Sequence, residues 1–375
     1  MSRGSVTNGI ASQPTPVSVL PGTYTAQVSL PGTRSRVALS LCWLPVGFAM
    51  VGVSVWLLWT RWSVLLNGQP AMLATCIVLG FTGIIALFWA FGSLTVGARY
   101  DAYVDDDSDV PRRRTSEQLR RRARVRIALG VPALVICVIA TVGMAWARPA
   151  AATPVAIAAM RSGDGIQVSD RLAWYEMKKV TKNAKGQTVQ PQAGLIFVPA
   201  PRVDPRAYAN VLRPIAEAGY LVAIVKPAYG VALPNDGTAK TVIDNHSEIR
   251  YWAMGGHDSG GAVAAAFADS NPVIGLLLYA SAPGNELVRN DLITTSISGS
   301  ADGLVSPGDI AEGKPNLPEA TRYVVIEGGY HAYFGDYGQQ SGDGAPTISR
   351  QEAQDQIRQA TLEFMNSLAP KPKSK

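Results

Sequence analysis

The stretch Tyr251-Trp-Ala-Met-Gly-Gly-His-Asp-Ser-Gly-Gly261, running on into Ala262–Ala268, decides the fold. An apolar run meets paired glycines on either side of a short polar step, and an alanine-rich segment follows. That is a strand, a sharp turn and a helix. A turn this tight strains its central residue and admits only small residues two places before and two places after it, the shape of a nucleophile elbow. The register Gly256-His257-Asp258-Ser259-Gly260 meets the requirement and puts Asp258 at the tip. Centring the turn on Ser259 would put the bulky His257 in the first small position.

Outward from the turn, apolar runs alternate with helical spacing from residue 165 onward, as a sheet covered by helices requires. Gly194–Pro199 is continuously apolar, the mark of a strand buried on both faces. Residues 205–219 set Tyr208, Val211, Leu212 and Ile215 at helical spacing and end in Gly219. Further strands are expected at Tyr220–Val225, Tyr251–Met254, Val273–Tyr279, Leu292–Ser298 and Tyr323–Glu327. Arg171–Met177 reads as an early edge strand, and residues 349–368 as a closing helix. The fold class is α/β, a doubly wound, mostly parallel sheet, with its chemistry at the carboxyl ends of the strands.

Only three histidines occur. His257 lies inside the elbow and should brace the turn or enter the core. His246 sits in a polar stretch and reads as a surface residue. His331 follows the last strand through Gly328-Gly329-Tyr330, where a base can reach the elbow. Asp302, in the loop Gly299–Pro307 after the preceding strand, is the expected carboxylate partner, against the plainer reading of a turn residue before Gly303. The chain order of Asp258, Asp302 and His331 is nucleophile, acid, histidine.

These segments together resemble the α/β-hydrolase superfamily, in particular its small dienelactone-hydrolase-like branch. The resemblance covers about residues 193–368. It rests on Gly194–Tyr208, Gly219–Lys226, the elbow, Gly275–Ala282, and above all Gly328–Gln340 with Ser341-Gly-Asp-Gly344. It implies Asp258, Asp302 and His331 as the catalytic triad, with the Ser259 backbone N–H as one oxyanion donor. The second donor normally comes from the loop after the strand ending at Pro199, here Ala200-Pro201-Arg202, and Pro201 has no N–H to give. Most relatives carry serine where Asp258 stands. An Asp at this position, as in the epoxide-hydrolase and haloalkane-dehalogenase branches, attacks a saturated carbon to form an ester that a histidine-activated water then cleaves. Those branches use a helical cap, and the segment between Ser281 and Asp291 is too short for one. Tyr229, Tyr330 or Trp252 could stand in for cap residues or simply pack. The alternative is a catalytically silent binding module on the same scaffold.

Toward the amino terminus the composition changes. Residues 1–148 hold 14 of the 34 basic and 6 of the 28 acidic residues, so the net charge of +6 belongs to this part. Three charge-free apolar runs, Val37–Thr60, Ala71–Gly97 and Ile127–Ala147, are each long enough to cross a bilayer, which takes about 20 residues. In lipid they must be helices. The loop 98–126 carries nine arginines and the loop 61–70 carries one, which predicts a cytoplasmic amino terminus and second loop. Three spans then put the rest of the chain outside the plasma membrane. Residues 1–36 are expected as a disordered cytoplasmic tail, 148–165 as an Ala-rich tether and 166–375 as the α/β domain. The acidic run Asp105–Asp109 reads as solvated loop.

The lipid bilayer and a small or lipid-like substrate are the expected partners. The basic residues form no face on a folded domain, so nucleic acid is not expected. No cluster of His, Cys and carboxylates has metal-ligand spacing, so no metal or cofactor is expected. Cys42, Cys76 and Cys137 all lie in apolar runs and imply no disulfide. Charge-free helices argue against an ion path and hence against a transporter. The oligomeric state is not legible.

Overall fold

A computed structural model describes residues 33–102, 116–233 and 237–368. The expected tail, apart from its last four residues, and the acidic run Asp105–Asp109 lie outside these. Three helices, α1 (Thr33–Gly68), α2 (Pro70–Ala102) and α3 (Ser116–Trp146), are long and apolar enough to span a membrane. They run beyond the apolar stretches that announced them. The backbone of α1 leaves helical geometry at Arg61 (φ −133°, ψ 17°), so its last turns form a separate short helix beyond the kink.

The remainder is one eight-stranded sheet in the order β1-β2-β4-β3-β5-β6-β7-β8. Its strands are β1 (Ile166–Asp170), β2 (Trp174–Lys179), β3 (Gly194–Val198), β4 (Leu221–Val225), β5 (Trp252–His257), β6 (Gly275–Tyr279), β7 (Ile293–Gly299) and β8 (Arg322–Ile326). From β4 to β8 in that order the pairing is parallel, while β1 and β2 pair antiparallel at one edge. Of the strand expected at 171–177, residues 174–177 lie in β2, one place in from the edge strand β1, and Arg171–Ala173 form the turn between the two.

Alternation within the buried strands divides the core. Leu195 and Phe197 of β3 face α5 (Ala209–Glu217) and α9 (Arg350–Leu368). Ile196 and Val198 face α6 (Thr238–Asp244) and α7 (Ser259–Ser270) on the other side. A short α8 (Pro307–Gly313) carries a capping box from Ser306 and Asp309.

Residues 148–165, read from composition as a tether, are tied to the sheet domain. Ala150 N–H donates to the Arg202 carbonyl (2.7 Å) and Thr153 N–H to that of Asp336 (2.8 Å). Thr153 also caps the short α4 (Pro154–Ala159). Arg213 on α5 donates to the carbonyls of Ala159, Arg161 and Gly163. Composition could not announce this, because the anchors are backbone groups and one distant arginine.

The hairpin between α1 and α2 docks on the sheet domain. Tyr175 OH donates to the Asn67 carbonyl (2.6 Å), Arg206 Nη1 to Ser63 Oγ (3.1 Å), and Thr75 and Tyr229 share a hydroxyl bond (3.0 Å). Tyr175 starts an antiparallel strand, and Arg206 and Tyr229 follow β3 and β4. All three mark the carboxyl edge of the parallel strands, so the helices abut the edge that carries the elbow.

Candidate active site

Asp258 stands at the turn between β5 and α7 with φ 55° and ψ −131°, a conformation that costs a non-glycine residue about 1–3 kcal/mol. The glycines around it explain how the turn closes. A Cβ on Gly256 would strike the Gly260 carbonyl, and one on Gly260 would strike the carbonyls of Pro199 and Val198. The backbone N–H of Asp258 donates to Tyr279 O (3.1 Å), which locks the tip to β6. Its carboxylate is partly open to solvent and Ser259 is exposed beside it.

His331 begins the turn after β8 and is fully buried. Its Nδ1 lies 2.9 Å from Asp302 Oδ2. Asp302 in turn accepts from the N–H groups of Leu304 (2.9 Å) and Val305 (2.8 Å) through Oδ1. With Nδ1 on the carboxylate, Nε2 is the free ring nitrogen; it has no hydrogen-bond partner and lies 3.8 Å from Asp258 Oδ2. The three expected residues are therefore brought together, with Asp302 and His331 in bonding contact and Asp258 just beyond it. Burial raises the Asp258 carboxyl above its ordinary range, and the neighbouring imidazole opposes that rise.

The loop after β3 has no spare backbone donor. Ala200 N–H donates to Tyr208 OH (3.0 Å), Pro201 has none, and Arg202 N–H donates to Gly230 O (2.6 Å). Ser259 N–H lies beside the Asp258 carboxylate and holds its proton affinity down.

Two supporting residues escaped the sequence reading. Tyr208, read only as a core residue, also shares a hydrogen bond with His257 Nδ1 (2.9 Å). Asp343 accepts from the N–H groups of His331 (3.2 Å), Ala332 (3.0 Å), Gly344 (2.8 Å) and Gly303 (3.4 Å), stitching the histidine loop to the Asp302 loop. A polar Gly-Asp-Gly was the available signal for the latter, but apart from the adjacent Gly344 its partners lie 11 to 40 residues away.

His257 is buried as expected, and its ring lies 4.3 Å from that of His331. Burial, then the neighbouring imidazole, holds it well below the usual histidine range, so it is neutral at physiological pH. His246 is not a surface residue. It is buried between Glu176 and Glu248 at 3.0 Å each, because the strand-edge carboxylate Glu176 needs a partner. Trp252 sits at the amino end of β5 against Gly194, away from the chemistry, and Tyr330 packs on Tyr333. Tyr229 is half-exposed and bonded to α2. Among the described residues, no group of three or more His, Cys, Asp or Glu is placed to hold a metal ion.

The sequence model of the alpha/beta hydrolase family matches residues 194–355. Similar solved structures include a ferulic acid esterase from Streptomyces cinnamoneus, 13% identical over 54% of this chain and 83% of that one, TM-score 0.41. An α/β serine hydrolase without lid from Xanthomonas campestris is 14% identical over 55% and 95%, TM-score 0.39. A thermophilic esterase from Thermogutta terrifontis is 12% identical over 56% and 98%, TM-score 0.38. No curated protein matches the chain.

Proposed function

We propose that this chain, whose residues 194–355 form a domain of the α/β-hydrolase superfamily, is a membrane-anchored hydrolase acting through Asp258, Asp302 and His331 on a small or lipid-like substrate. The observation that carries this is the free Nε2 of His331: Nδ1 is held by Asp302 at 2.9 Å, and the bare nitrogen faces the elbow carboxylate at 3.8 Å. An imidazole so held has the tautomer of a general base.

Asp258 attacks an electrophilic carbon, forming a C–O bond as the bond to the leaving group breaks, and the leaving group departs with the electron pair. His331 Nε2 then takes a proton from water as the hydroxide attacks Cγ of the Asp258 ester. Collapse releases the alcohol, which takes the proton back from His331, and the Asp258 carboxyl so formed passes the second water proton to solvent or to the departed leaving group, regenerating the carboxylate. The Ser259 N–H is the donor for the oxyanion in that second step. The acceptor-side loop of residues 200–202 adds none, which disfavours a plain attack on an ester carbonyl.

That same loop favours one second reading, a silent binding module that kept the histidine pair and lost the donor. The bias of arginines toward residues 98–126 supports an orientation with the hydrolase domain on the outer face of the plasma membrane.

The full-length protein, in detergent, tested against esters, lactones, epoxides and haloalkanes separates the readings. In His331→Gln the first step runs and the second stalls, so mass spectrometry should find a substrate adduct on the Asp258 peptide. Turnover that survives Asp258→Ala overturns the nucleophile assignment. Esterase activity that appears only in Asp258→Ser, over an inert native protein, establishes the silent scaffold.

A further inference from the structure

Three arginines converge on the five-residue segment from Trp146 to Ala150, where α3 hands the chain to the hydrolase domain. Arg61, at the kink of α1, donates through Nε to the Pro149 carbonyl (2.7 Å). Arg148 belongs to the segment itself. Arg202, in the loop after β3, donates through Nη1 to the Trp146 carbonyl (3.3 Å), and its own carbonyl accepts from Ala150 N–H (2.7 Å). None of the three forms an ion pair with a carboxylate among the described residues. Arg148 is the most exposed to this want: its side chain makes no hydrogen bond to the protein, and its Nε is buried without a partner. Its guanidinium lies 4.7 Å above the Trp56 ring, and that of Arg202 lies 4.7 Å above Trp146.

Depth along the helices identifies what could neutralise this charge. Trp56, Trp59, Trp62 and Trp146 all present exposed surface at these same helix ends. Indole rings gather at the level of lipid headgroups. The guanidinium groups thus stand at the height of the phosphates of the leaflet next to the hydrolase domain, with apolar helix faces below them for acyl chains. Arginine matches a phosphate with paired N–H donors.

We propose that Arg61, Arg148 and Arg202 form a docking site for the headgroup of an anionic phospholipid in that leaflet. Three positive charges with no carboxylate at ion-pair distance among the described residues, of which only Arg202 also acts on a more distant carboxylate, Asp258, select an anionic lipid over a zwitterionic one. Arg202 also acts on the Asp258 carboxylate, so the test varies only Arg61 and Arg148, neither of which takes part in the proposed chemistry.

The test uses the full chain in nanodiscs of equimolar phosphatidylglycerol and phosphatidylcholine, released and weighed by native mass spectrometry. The run Arg120–Arg126 at the other helix ends gives the same background in every variant, so the readout is the change between proteins. Each surface arginine contributes about fivefold to such binding, so Arg61→Gln with Arg148→Gln should lower retained phosphatidylglycerol by roughly tenfold or more. Phosphatidylcholine should stay unchanged, and Arg61→Lys with Arg148→Lys should recover most of the loss. Arg148→Gln alone, which removes no hydrogen bond, carries the test if the double variant does not fold. Phosphatidylglycerol retention equal to wild type in a folded Gln variant, or its displacement by millimolar inorganic phosphate, overturns the proposal.

Discussion

On one flank of the site, Asp302 accepts from two backbone N–H groups and holds His331, while Asp343 binds four more N–H groups from both loops. On the other flank, the Asp258 carboxylate stands 3.8 Å from the imidazole, and the loop of residues 200–202 has spent or lacks its donors. The histidine is over-determined and the acceptor side is sparse. A site built this way orients a base firmly and offers little to a tetrahedral oxyanion. The removal of a proton from water is well provided for, while the oxyanion formed when that water attacks the Asp258 ester has the Ser259 N–H as its one backbone donor.

The largest way to break this contrast is at the elbow. Asp258→Ala should lower turnover by at least about 10⁴-fold on any accepted substrate, measured as kcat/KM. If it does not, the sparse flank is not where chemistry happens. Asp302→Asn tests the dense flank, since it keeps the shape but removes the charge that fixes the tautomer. A loss of about 10³–10⁴-fold is expected in kcat, with KM little changed. Asp343→Ala touches no substrate and acts through loop position. It should lower kcat by about tenfold to a hundredfold while the acid limb of the pH profile keeps its midpoint.

The smallest expected effect is on stability. Burial lifts the Asp258 carboxyl above its ordinary value of 3.8. A folded pKa raised above the unfolded one gives stability that is complete below the unfolded value and is lost as pH rises through the folded one. At neutral pH the ionised carboxylate is therefore a burden, and Asp258→Asn should raise Tm by about 2–4 °C, with the gain vanishing in acid. The same shift puts the acid limb of activity above pH 3.8. An unchanged Tm at neutral pH would mean the sparse flank stores no electrostatic cost.

Much of this could be read from the sequence because it is local. The glycine spacing identified which of Asp258 and Ser259 takes the tip, and collisions at Gly256 and Gly260 supply the reason. With three histidines available, the one following the last strand was easy to single out. What stayed hidden depends on partners far along the chain. Asp343 looked like any loop aspartate, Tyr208 like any core aromatic, and His246 like a surface residue until Glu176 arrived from the edge strand. The short β1 lay at the start of the expected domain in residues to which no strand was assigned, and nothing in an apolar hairpin announces that its tip will bond to Tyr175 and Arg206.

That hairpin has a practical consequence. Cutting the chain after α3 would not liberate a finished domain. It would leave a raw face in which the Tyr175 hydroxyl and Arg206 lose Asn67 and Ser63, and Tyr229 loses Thr75. The helices are less a leash than a keystone, since these three bonds join them to the sheet domain beside the covalent link.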